Sequence, residues 1–116
     1  MDKNLIKAYN FGNYSRTISN QIELLKLKMK KQLQYSNYGG SFEITPEFLI
    51  YVKAYVDQGI YRAVILDKFE NPINITAIED FYDDIMSQRR KVLNEFYEEF
   101  EKIRLMRNLT DMIDYD

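Results

Sequence analysis

Two groups of carboxylates and one run of lysines are the residues of this chain whose types and spacing could do chemistry. Asp80, Asp83 and Asp84 form one acidic group, and Glu95, Glu98 and Glu99 the other. At helical spacing, two carboxylates of a group share a face, an arrangement that serves acid–base catalysis or a divalent cation. Carboxylate-bridged di-metal bundles add a histidine at i, i+3, and this chain has no histidine and no cysteine. The same absence removes Ser-His-Asp triads, imidazole bases, thiolate nucleophiles, disulfides and His- or Cys-ligated metals. The acidic groups therefore read as solvated helix faces. No catalytic, cofactor-binding or metal-binding residue is assigned, and the expectation is a non-enzyme without a small-molecule substrate.

The basic run is Lys26, Lys28, Lys30 and Lys31, followed by Tyr35 and Tyr38. Cations for phosphates and aromatics for stacking suit a nucleic-acid surface. A basic amphipathic helix can also lie on an anionic membrane. Against both stands the formal net charge of −2, and four lysines make a modest cluster. Nucleic acid is kept as the alternative partner, and a membrane is not expected. Arg89, Arg90 and Lys91 sit among acids, which favours internal pairing over phosphate binding.

Charge is polarised along the chain. Residues 1–40 carry seven basic side chains against two acidic ones, whereas residues 41–116 carry nine against sixteen. Such a division favours pairing of the two halves, or association of two copies. The abundance of Asn, Ile, Lys and Tyr is what an AT-rich genome produces, as in a low-GC bacterium or its phage. At 116 residues, 46% hydrophobic and 29% charged, the chain has the size and composition of one soluble domain. That domain would carry a flexible N-terminal arm at 1–13 and an acidic tail at 108–116. The first residues lack the apolar segment of a secretory signal, and no apolar run approaches the ~18 residues of a membrane span. A cytoplasmic address, or a virion for a phage-encoded protein, is the expectation. The three Asn-x-Ser/Thr sequons, at Asn13, Asn74 and Asn108, then read as chance.

The elements that must position these residues follow from periodicity. Phe11-Gly12 should close the arm. Ile18, Ile22, Leu25, Met29 and Leu33 step by 4, 3, 4 and 4, one face of an amphipathic helix reaching to about Tyr35. Gly39-Gly40 breaks it, and residues 41–44 suit a short strand. Thr45-Pro46-Glu47 is a helix start, with a capping hydroxyl, a first-turn proline and an acid at the positive end of the dipole. The helix from Pro46 to Gln58 is apolar nearly all round, which predicts burial on most sides, and Gly59 ends it. Residues 61–66 and 72–75 read as a β-hairpin, with Pro72 at an edge or a strand start. Phe42–Ile44 could supply it with a third strand. Thr76-Ala77-Ile78-Glu79 is a capping box that opens a helix to about Arg107. Its stripe is Ile78, Tyr82, Ile85, Arg89, Val92, Phe96, Phe100 and Ile103. The fold class is thus mainly α with a small β-hairpin (α+β): helix, buried middle helix, hairpin, long C-terminal helix.

The last helix points to a partner. Residues 77–107 would span about 46 Å, more than the roughly 35 Å diameter of a compact globule of this length. Its far end stays apolar, with Phe96, Tyr97, Phe100, Ile103 and Met106 on the helix and Leu109, Met112 and Ile113 in the tail. Another protein or a second copy is the simplest cover for those residues. A kink near Arg104–Asn108, folding the end back, is the competing solution. The functional expectation is protein–protein interaction as an assembly or adaptor subunit, a phage structural or accessory protein included.

Overall fold

In a computed structural model, the described residues are 3–114 for the backbone and 16–108 for the side chains. The element order is α1 (Lys3–Gln32), β1 (Gln34–Asn37), β2 (Gly40–Glu43), α2 (Pro46–Asp57), β3 (Ala63–Leu66), β4 (Pro72–Ile75) and α3 (Ile78–Asp114). The α+β class and the long last helix agree with the sequence pattern. The chain forms two compact units, one of residues 1–28 and 95–116, the other of residues 29–94.

The unit of residues 29–94 holds the larger core. Leu33, Phe42, Ile44, Leu49, Val52, Ile65, Ile73, Ile75, Ile78, Phe81, Ile85 and Val92 form one buried cluster. Removing each such side chain from water contributes about 1.5–3 kcal/mol before entropy is counted. β1 and β2 pair antiparallel with Asn37 opposite Gly40, so Tyr38 and Gly39 are the two turn residues. Both have positive φ, 58° and 80°, as a type I′ hairpin turn requires. Tyr38 is an unusual occupant of that region. Its amide donates to Asn37 Oδ1 at 2.8 Å, and its ring meets Phe81 edge-on at 6.1 Å. Tertiary packing holds the turn.

α2 begins as its sequence implies: Thr45 is the N-cap, its Oγ1 accepting from Phe48 N at 3.1 Å, with Pro46 in the first turn. Burial on most sides does not follow. Only Leu49 and Val52 are buried, while Ile50 and Tyr51 are exposed. The core covers one face of the helix, and Tyr51 turns its hydroxyl to Tyr55 at 3.0 Å.

β3 and β4 form the expected hairpin, with Pro72 as first residue of β4. A third strand from Phe42–Ile44 does not join it. Residues 40–43 pair with β1 instead, which leaves two separate two-stranded sheets. Asp67 connects them. Its Oδ1 accepts from Phe69 N and Asn71 N, both at 2.9 Å, and its Oδ2 from Ser41 N at 3.3 Å, while Lys68 N donates to Ser41 O at 2.9 Å. These bonds, the one from Asn71 N foremost, hold the Asp67 carboxyl below the ordinary carboxylate range against the opposing effect of its desolvation. A depressed folded-state pKa means stability that is present above the unfolded value and lost as pH falls through the folded one. Asp67→Asn should therefore lower Tm most at neutral pH, and the gap should close as pH falls through the carboxylate range. A gap constant from neutral to acid would show that Asp67 is not the linkage.

Two helix boundaries differ from the sequence pattern. α1 runs through Phe11-Gly12 and stops at Gln32, short of Tyr35. Gln88 Nε2 donates at 2.8 Å to Gln32 O, a carbonyl that the ending helix leaves open, and at 2.7 Å to Gln34 O at the start of β1. α3 continues as helix past about Arg107, through Arg104–Asn108 to Asp114.

Candidate interaction surface

The unit of residues 1–28 and 95–116 pairs the first part of α1 with the last part of α3. Lys28 Nζ donates to Glu99 Oε1 at 3.0 Å. Gln21, Leu24 and Leu25 face Lys102 and Ile103 across a shallow groove of about 420 Å³ that Lys28 and Glu99 also line. Contacts that descend α1 while they ascend α3 make the pair antiparallel. Ile18 and Leu25 are buried, with Ile22, Phe96, Phe100 and Ile103 half-buried. The Phe96 and Phe100 rings lie 5.8 Å apart. The parts of the two predicted stripes that fall in this unit are thus buried or half-buried.

What stays open is the rest of each helix. Leu24 is 65% exposed and Tyr97 likewise 65%. Leu27, Leu105 and Met106 are also exposed. Of the residues assigned from sequence to a partner, Tyr97 and Met106 present open surface, while Phe96, Phe100 and Ile103 serve mainly within the unit. The side chains of Leu109, Met112 and Ile113 lie outside the described residues. Leu24, Leu27 and Leu105 escaped sequence reasoning. Their signal was present: each is a large apolar residue off the main stripe.

The basic run divides. Lys26 approaches Glu23 at 3.8 Å and Lys28 pairs with Glu99. Lys30 and Lys31 are exposed. Tyr35 and Tyr38, expected as stacking platforms beside them, instead meet Phe81 edge-on. Burial pushes the Tyr35 phenol above its ordinary range, and its hydroxyl donates to Asp84 at 3.1 Å. Asp84 is in this way a partner for the β1 aromatic, while Asp80 and Asp83 are exposed. Among the described residues, no three acidic side chains converge on a point that could hold a metal ion. Arg89 reaches Ile44 O at 3.4 Å rather than an acid.

A second apolar surface lies on the other unit. Along β3, Ile65 points inward, whereas Val64 and Leu66 are exposed. Tyr61 and Phe69 beside them are exposed as well. Among the described residues, no helix is long and apolar enough to cross a membrane. Neither a protein-family model, nor a curated protein, nor a solved structure matches the chain at a significant level.

Proposed function

We propose that this chain is a non-enzymatic interaction protein, an assembly or adaptor subunit that works through the helix pair of residues 1–28 and 95–116. The observation that carries the reading is the set of large apolar side chains, Leu24, Leu27, Tyr97, Leu105 and Met106, left exposed on both helices. Buried aromatic and aliphatic anchors dominate the energetics of protein interfaces. The proposed setting is the cytoplasm, or a virion if the gene is a phage's, which the AT-rich composition favours. Nucleic-acid binding through Lys26, Lys28, Lys30 and Lys31 is the weaker reading, because two of these lysines have acidic neighbours and the adjacent tyrosines pack inward.

Capture of partners from the producing cells, with and without nuclease, tests this. Wild-type chain should retain a protein partner in both samples. Leu24→Asp/Tyr97→Asp should lose it by roughly tenfold or more, while Val64→Lys/Leu66→Lys should not. Loss only in the β3 variant would move the site to the other unit. Loss on nuclease treatment would make nucleic acid the partner.

A further inference from the structure

We infer that the cover over the groove of the helix pair is a second copy of this chain, related by a two-fold axis parallel to the two helices. This rests on the interaction reading above and specifies its partner. The two helical segments have opposite charge. Among the residues whose side chains are described, 16–28 carry three basic side chains against one acidic one, and 95–108 carry three against four. A surface of one positive and one negative helix, side by side and antiparallel, is its own electrostatic complement.

The charges also select the symmetry. Stacked about an axis parallel to the helices, each α1 segment faces the α3 segment of the other copy, and the four helices alternate in direction and in sign. A stacking that sets α1 against α1 opposes like charges, which disfavours it. Isologous contact further requires that residue i meet j while j meets i. Rotation about that axis keeps every residue at its own height, so Lys28 of each copy comes level with Glu99 of the other. The intramolecular Lys28–Glu99 pair, 3.0 Å long, thereby becomes part of a ring of four alternating charges. Beneath it, Leu24, Leu25 and Ile103 of the groove meet the same residues of the second copy. Glu95 and Glu98 have no ion-pair partner among the described residues, so negative charge on α3 is left for a basic neighbour. The result is an alternating four-helix bundle, a packing in which each helix has two neighbours.

Sedimentation equilibrium on the full chain tests the inference, with helicity followed by circular dichroism. Wild type should form dimers. Lys28→Glu and Glu99→Lys should each weaken self-association by roughly tenfold or more, because each sets four like charges around the ring. An equimolar mixture of the two should restore dimers, since one copy brings two negative and the other two positive side chains. The double variant Lys28→Glu/Glu99→Lys should dimerise like wild type, which separates charge placement from failure to fold. A monomeric wild type, or single variants that dimerise unchanged, would overturn the inference. So would head-to-tail growth beyond the dimer. A monomeric wild type that still captures a protein through Leu24 and Tyr97 would leave the interaction reading standing. One that captures nothing would remove both.

Discussion

Phe81→Ala is expected to lower the thermal midpoint by roughly 12–20 °C, the largest effect of any single substitution considered. Phe81 is fully buried, and four rings meet it: Phe42 at 5.1 Å, Tyr35 at 5.7 Å, and Tyr38 and Phe48 at 6.1 Å. All four approach edge-on, the arrangement in which the positive ring edge meets the negative face. These rings come from β1, the turn, β2 and α2, so one side chain of α3 gathers most of its unit. Truncating a buried Phe to Ala typically costs ~3–5 kcal/mol. At roughly 4 °C per kcal/mol for a chain of this size, the stated shift follows. Phe81→Leu should cost clearly less, because it keeps most of the volume and loses only the ring geometry. Thermal unfolding followed in the near ultraviolet reads both. A drop of only a few degrees for the alanine variant would mean that the rings close over the gap and that Phe81 is not the hub.

Phe81 also shows where sequence reading stops. The stripe Ile78, Tyr82, Ile85, Arg89 and Val92 was legible because its spacing is helical, and Ile78, Ile85 and Val92 are buried. A stripe wide enough to meet several elements takes in the neighbouring position as well, and spacing alone does not choose between Phe81 and Tyr82. Thr45 and Pro46 were legible because capping is local chemistry. β1 was not. Gln34-Tyr35-Ser36-Asn37 has no β-branched residue, and its pairing depends on a turn with Tyr38 at positive φ and on Gln88, 54 residues away from Gln34. α1 crosses Gly12 although glycine costs a helix about 1 kcal/mol, an amount its many other residues can carry.

The candidate site was legible to the same extent and for the same reason. Periodicity found Phe96, Phe100 and Ile103, which are half-buried, Ile103 beside Leu24 and Leu25 of α1. An outward surface is made of what periodicity discards, here Leu24, Leu27 and Leu105. Tyr97 and Met106 were found because they adjoin the stripe. Charge polarity was visible from composition alone, but its use depends on α1 and α3 lying antiparallel within one unit. That pairing is a tertiary fact.

Gly40→Ala should destabilise the protein by about 1–3 kcal/mol, the usual cost of overpacking a core, and the reason is space rather than backbone. A Cβ at Gly40 would stand 2.6 Å from Ile73 Cγ1, 2.9 Å from Ile73 Cδ1 and 3.2 Å from a ring carbon of Phe42. The neighbouring Gly39 is the opposite case. Nothing lies within 4 Å of its Cβ position, but its φ is +80°, so a side chain there meets backbone strain alone. Two adjacent glycines that look like one chain break in the sequence thus do different jobs. Gly39 turns the β1–β2 hairpin, and Gly40 lets β2 close onto β4. Asparagine tolerates positive φ better than most residues, so Gly39→Asn should be mild and Gly40→Asn severe. The decisive measurement is a double-mutant cycle with Ile73→Ala, which removes both crowding atoms. If space is the cause, Gly40→Ala should cost markedly less in the Ile73→Ala background, with a coupling of about 0.5–3 kcal/mol. Strict additivity would mean that the alanine disturbs the backbone of β2 itself, and the close approach of the two hairpins would lose its role in holding them together.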